Sequence, residues 1–293
     1  MRKSTAALET VFVEVPEAAL EAFESAMLSA CTTVGFFFAD EENRIWRIEG
    51  VKPVGDSDAE LIAGLALAEM MTGVSAPLQR TATAAEGWLA RTYESFPEQE
   101  VGRRFVVRGS HLKGPGTAGR ITLTLDAGVA FGSGEHGSTR GCLRALEKVA
   151  HRHPRRILDM GTGSGILAMA AAKLLHRPVL ATDIEPWSVR VAARNAADNG
   201  VGALVTARLA DGWHHPVVSA GAPYDLVFAN ILARPLCAMA RHLSASLSPG
   251  GTAILAGLLN SQANMVLTAH RRLGMRLDFA LREGNWTTLV LRR

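Results

Sequence analysis

Three cysteines in 293 residues, Cys31, Cys142 and Cys237, are too few and too far apart for a disulfide framework, and they lack zinc-site spacing. That scarcity points to a reducing compartment. Long apolar runs are also missing, since the stretch Ile166 to Leu175 is short and carries Lys173, well under the ~20 residues of a membrane helix. A membrane role is not expected. The opening MRKSTAALETVFVEV starts basic but has no continuous apolar segment, so it does not read as a signal peptide. Without secretion, the sequon Asn285-Trp286-Thr287 is a chance match. Nor is there strong charge of one sign: a net charge of +3 falls short of the basic stripe of a dedicated nucleic-acid binder, and direct nucleic-acid binding is not required.

With 48% hydrophobic and 20% charged residues, the chain has the makings of a large core, and its length suits two domains. The first eighty residues alternate strand-like and helix-like runs. Val11 to Val15 reads as a strand, and Leu20, Phe23 and Met27 share one helical face. Strands follow at Gly35 to Ala39 and Arg44 to Ile48, then a helix opened by a Ser57/Glu60 capping box with Leu61, Ile62, Leu65 and Met70. With a short strand near Leu78, the order β-α-β-β-α-β predicts a ferredoxin-like α+β domain over residues 1–80. Residues 81–119 lose this rhythm, place Trp88, Tyr93 and Phe96 among charges, and read as a connector.

From residue 120 to 293 the pattern becomes that of a doubly wound parallel α/β sheet, with strands near Ile157, Val179, Val205, Leu226 and Ile254 and helices between them. Leu277 to Leu281 and Thr287 to Leu291, joined by Glu283-Gly284-Asn285, predict a closing hairpin whose last strand is antiparallel. This Rossmann-like half resembles the class I methyltransferases.

Short local segments carry the chemistry. In Asp159-Met160-Gly161-Thr162-Gly163-Ser164-Gly165 a strand enters a glycine turn that opens a helix, where free N–H groups suit a carboxylate or phosphate. A dinucleotide fingerprint requires a small residue where Ile166 stands, so the acid-plus-G-x-G-x-G spacing favours S-adenosylmethionine over NAD. Asp183 ends the next strand, about 20 residues on, placed for ribose hydroxyls. Asp211, in Ala210-Asp211-Gly212, is either an adenine contact or an ordinary turn residue. Asn230, in Ala229-Asn230-Ile231-Leu232, ends the fourth strand and can offer an acceptor to an attacking nitrogen, or simply cap the next helix. Upstream, the glycine-rich loop Asp126 to Thr139 leads into a helix starting near Thr139 and could close over the cofactor. His136 and the other histidines show no zinc spacing, so no metal site is expected. The basic run Arg152 to Arg156 reads as a solvated loop.

Together these motifs resemble the ribosomal protein L-eleven methyltransferases, the PrmA family. The family's loop Asp-x-Gly-x-Ala-Phe-Gly-x-Gly-x-His matches Asp126 to His136, its glycine motif Asp159 to Ile166, its Ala-Asn-Ile-Leu Ala229 to Leu232, and its connector tryptophan Trp88. The resemblance implies a seven-stranded class I methyltransferase sheet that binds S-adenosylmethionine, and an N-terminal domain that recognises the ribosomal protein. It further implies methylation of lysine side chains and the N-terminal amine in the cytoplasm. It assigns Thr139, Gly161, Asp183 and Asn230 to the cofactor; the motifs themselves add Gly163, Asp159, Asp211 and Phe131 as expected cofactor contacts and Asn230 as the expected catalytic residue. Where the family commonly has His-Pro-Thr-Thr, this chain has His136-Gly137-Ser138-Thr139, which predicts a more mobile loop. The competing reading is an adenine methyltransferase acting on nucleic acid, which would also use an Asn here. Ile231 and Leu232 offer it no stacking ring.

Overall fold

A computed structural model describes residues 8–31, 33–40, 44–82, 98–110, 112, 114, 116–125 and 137–293, which fall into two compact units, 1–91 and 92–293. In the first unit, strands β1 (Leu8–Pro16), β2 (Thr33–Asp40), β3 (Ile45–Pro53) and β4 (Gln79–Ala82) form an antiparallel sheet in the order β2-β3-β1-β4. Helices α1 (Leu20–Ala30) and α2 (Asp58–Thr72) connect them, giving the expected ferredoxin-like order. Period-two alternation buries Val11, Val13 and Val15 of β1, and period-3.6 spacing buries Leu20, Phe23 and Met27 of α1.

One expectation for α2 fails. Ser57 takes a left-handed backbone with φ of 49° and its side chain caps nothing, so the capping box is not formed. The buried face is Leu61, Leu65 and Ala68, while Ile62 and Met70 are 56% and 84% exposed. The helix is apolar on nearly every side, so composition alone could not pick the inward stripe.

In the second unit a seven-stranded sheet has the order β10-β9-β8-β11-β12-β14-β13. Strands β8 (Ile157–Met160), β9 (Val179–Asp183), β10 (Val205–Leu209), β11 (Tyr224–Asn230) and β12 (Leu247–Leu259) are parallel. The hairpin of β13 (Arg276–Glu283) and β14 (Trp286–Arg292) closes the sheet, with β14 antiparallel to β12 as expected. Helices cover both faces, so the central strands are buried on both sides and read as near-continuous apolar runs. Phe228 and Ile254 fill one core, and Val227 and Leu255 the other.

The stretch expected as a connector contributes β5 (Gln99–Val101) and β6 (Phe105–Gly109) to a small third sheet, completed by β7 (Ile121–Leu125) just beyond it. Val101, Phe105, Val107, Leu123 and Leu125 join the core of the second unit. These strands are short and lie apart in the chain, which hid their alternation. A turn stabilised by Glu147, whose carboxylate accepts from the amides of Arg103 at 3.1 Å and Arg104 at 2.7 Å, separates β5 from β6. Trp88, Tyr93, Phe96, Phe131 and His136 lie outside the described residues.

Candidate active site

The glycine turn, Asp183 and Asn230 stand at the carboxyl ends of three adjacent parallel strands, in the order β9-β8-β11. Register places Phe228 beside Asp159 and Ala229 beside Met160, so Asn230 follows level with the start of the turn. This is the crevice where open α/β sheets hold ligands.

Gly161 and Gly163 adopt φ of 69° and 52°, the left-handed region where a side chain is strained. A Cβ on Gly161 would also stand 2.5 Å from Ile231 Cγ2. The turn is laid against β9: the amides of Gly161 and Thr162 both donate to the Thr182 carbonyl at 2.9 Å. The Gly163 amide donates to Asp183 Oδ2 at 2.9 Å, and the Glu185 amide to Asp183 Oδ1 at 3.0 Å. Two backbone donors thus fix the half-buried carboxylate while each oxygen keeps a lone pair for a ligand hydroxyl.

Asp159 lies beneath the turn, only 1% exposed. Its Oδ2 accepts from Thr162 Oγ1 at 2.6 Å and from the Ala168 amide at 3.1 Å, tying the turn to the helix Ile166–Leu175. Burial pushes its carboxyl up to about 6; the Thr162 and Ala168 hydrogen bonds pull it down, and the charge of Asp183 pushes the same way as burial. Thr162 and its bond to Asp159 went unread in the sequence, where Asp-x-x-Thr was the available signal.

Asn230 does not cap the helix Ala233–Ser246, whose N-cap is Leu232 without a side-chain bond. Its Nδ2 instead donates to Thr139 Oγ1 at 3.4 Å, and in this orientation Oδ1 is an acceptor. Thr139 is fully buried near the start of the helix Gly137–Val149, two residues upstream of the predicted start. Gly257 was also missed: its φ is 80°, and a Cβ there would stand 2.4 Å from the Ile231 carbonyl oxygen, so a bare Cα lets β12 pass beside the Asn230-Ile231 turn.

Asp211 is exposed, after β10, and opens the turn Gly212–His214 around buried Trp213. The adjoining Ala210 amide bonds the Asp183 carbonyl at 2.9 Å, which keeps Asp211 on the same rim. A cavity of about 270 Å3 opens at the opposite end of the sheet, lined by Arg152, His153, Arg155, Asp225 and Ser248 to Thr252. Its acid is already satisfied, because Asp225 accepts from the amides of Arg155 and Arg156 and from Ser248 Oγ. Among the described residues no three His, Cys, Asp or Glu side chains are grouped to hold a metal, and no helix is long and apolar enough to cross a membrane.

Residues 10–293 match a family model described as ribosomal protein L11 methyltransferase (PrmA). The chain is 43% identical over 234 residues to a Mesorhizobium japonicum protein of that name, covering 80% of this chain and 78% of the relative. It is 43% identical over 255 residues to one from Rhizobium meliloti, covering 87% of each. Among solved structures, a ribosomal protein L11 methylase from Lactobacillus delbrueckii subsp. bulgaricus superposes with a TM-score of 0.62 at 29% identity, covering 68% of this chain and 99% of that one.

Proposed function

The chain belongs to the ribosomal protein L11 methyltransferase family, and we propose that its second unit holds S-adenosylmethionine at the carboxyl ends of β8, β9 and β11 while its first unit recognises L11. It is an S-adenosylmethionine-dependent transferase that methylates ribosomal protein L11. The methyl acceptors in this reading are lysine side chains and the N-terminal amine, and the reaction belongs in the cytoplasm, where ribosomal proteins are made. No nucleic acid is required.

The donor set fits the cofactor. The turn Gly161 to Gly163 offers a bare backbone, the Asp183 carboxylate is aimed and still has acceptor capacity for two ribose hydroxyls, and Thr139 sits beside Asn230. Asp211 adds an adenine-side contact and Asp159 acts from below, through Thr162 and the helix start. Phe131 is assigned to the same site from the motif. When bound, S-adenosylmethionine supplies a methyl group on a sulfonium, activated towards a neutral nitrogen.

Asn230 carries the reading. Its Oδ1 accepts an N–H of the incoming amine and turns the nitrogen lone pair towards the methyl, so the barrier falls by orientation. Transfer forms an N–C bond and breaks a C–S bond, and the amine must first lose a proton, which passes to water. A lysine amine near pKa 10.4 is scarcer in its neutral form at pH 7 than an α-amine near 7.7 to 8.0, a difference of about 3 kcal/mol. An adenine acceptor is not favoured, since Ile231 and Leu232 follow Asn230 and give no ring to stack on. Incubating the protein with labelled S-adenosylmethionine and dissociated ribosomal components tests this. Label should appear in one ribosomal protein and not in RNA; label in RNA alone would overturn the acceptor assignment.

A further inference from the structure

The helix Gly137–Val149 brings Thr139 to Asn230, and its placement along its own axis decides whether they meet. Its apolar face, with Cys142, Leu143, Leu146 and Val149 buried, fixes which side points inward. Apolar packing is non-directional and tolerates sliding. Directional contacts near the Thr139 end come from the β13-β14 hairpin and, more weakly, from β5, where Arg140 Nη1 donates to the Glu100 carbonyl at 3.5 Å.

Arg144 Nη1 donates to Glu283 Oε1, and Arg140 Nε lies 3.8 Å from Glu283 Oε2, so one carboxylate spans two arginines four residues apart on one helical stripe. The neighbouring stripe has no side chains. A Cβ on Gly137 would stand 2.7 Å from the Glu283 carbonyl oxygen and 2.9 Å from Trp286 Cδ1, and one on Gly141 would fall 2.1 Å from Thr288 Oγ1. Gly137 stands where the family commonly has proline, and its bare Cα lets the hairpin approach this closely. The hairpin end is itself stapled to the end of β12. The Asn260 amide donates to the Asn285 carbonyl at 2.9 Å, Asn260 Nδ2 to the Gly284 carbonyl at 3.0 Å, and Thr287 Oγ1 to Asn260 Oδ1 at 2.7 Å. β12 pairs Ala256 with Asn230. Both routes from Glu283, through the helix and through the strand, therefore end at the Asn230–Thr139 contact.

We propose that Glu283 is a positioning residue for methyl transfer, holding Arg140 and Arg144 so that Thr139 stays against Asn230. The inference rests on the reading of Asn230 as the group that orients the amine. Charge-assisted hydrogen bonds of this type set register as well as adding energy, and small displacements of an orienting group can slow a reaction by about 10²-fold.

The test is a double-mutant cycle on single-turnover methylation of purified L11, at saturating S-adenosylmethionine and L11, using the full chain and the variants Glu283→Ala, Thr139→Val and both together. Glu283→Ala should slow transfer by roughly 10- to 100-fold while S-adenosylmethionine affinity changes by less than about threefold. Thr139→Val should cost about tenfold in the wild-type background and less than about threefold in the Glu283→Ala background, because the contact is already lost there. Glu283→Gln, which keeps an acceptor for Arg144, should recover part of the rate. Arg144→Gln attacks the same clamp from the helix side and must give the same non-additivity, which keeps the test decisive if Glu283→Ala does not fold. Additive effects, or a Glu283→Ala enzyme that is only less heat-stable but turns over at full rate, overturn the proposal. An unmodified L11 with the wild-type enzyme would instead overturn the functional reading beneath it.

Discussion

The Asp183 carboxylate accepts the Gly163 amide at 2.9 Å, joining the end of β9 to the glycine turn that leaves β8. One side chain therefore shapes the cradle and is also the acceptor proposed for the cofactor's ribose. Its second oxygen is steadied by the Glu185 amide, so the carboxylate is oriented before any ligand arrives.

Asp183→Ala should weaken S-adenosylmethionine binding by roughly 1.5 to 3 kcal/mol, since two ribose hydroxyls lose a charged acceptor and the Gly163 amide loses its partner. Titration calorimetry reads this directly. Unchanged affinity would remove Asp183 from the site.

Asn230→Ala should lower the single-turnover rate far more than it lowers cofactor affinity, by roughly 10²-fold, because orientation of the amine is lost while the glycine turn stays intact. If the rate at saturating cofactor and L11 is unaffected, Asn230 serves the packing of the strand end alone.

Much of this was readable in the sequence. The strand-turn-helix at Asp159 to Ile166, the acid ending β9 and the Asn ending β11 are local patterns, and a parallel sheet brings strand ends together whatever the loop lengths. The closing hairpin was equally plain, from two alternating runs around Gly284. What stayed hidden depends on contacts between distant segments. The sheet at residues 99–125 is made of strands too short to show a period, and its apolar residues are explained only by the core they join. On α2, apolar residues on nearly all sides left the buried stripe to tertiary packing, and Ser57 turned left-handed where a cap was expected. Gly257 and Gly137 are meaningful only once Ile231 and Glu283 are seen beside them.

Asp159 makes stability depend on pH. Its folded-state pKa of about 6 lies above the ordinary 3.8, so its contribution is fully present below about pH 4 and is lost as pH rises through 6. The loss amounts to about 2 to 3 kcal/mol. Asp159→Asn removes the titration, so the stability of this variant relative to the wild type should improve by that amount between pH 4 and pH 7, as measured by urea unfolding across the range. A difference that stays flat with pH would show that Asp159 ionises freely in the folded protein.

The division of labour predicts that residues 92–293 alone fold and bind S-adenosylmethionine, since the described turn, Asp183, Thr139 and Asn230 all lie in that unit. Methylation of L11 by the fragment should fall by orders of magnitude at a given L11 concentration. A fragment with near full kcat/KM for L11 would show that the first unit is not the recognition element.

The most direct test of the account is the intact mass of L11 after incubation with the protein and S-adenosylmethionine, followed by peptide mapping. The mass should rise in whole methyl increments that map to lysine side chains and the N-terminal amine, and Asn230→Ala should slow every increment while still binding the cofactor. L11 that keeps its original mass while the wild-type protein binds S-adenosylmethionine, or increments that map to oxygen or carbon atoms, would contradict the assignment.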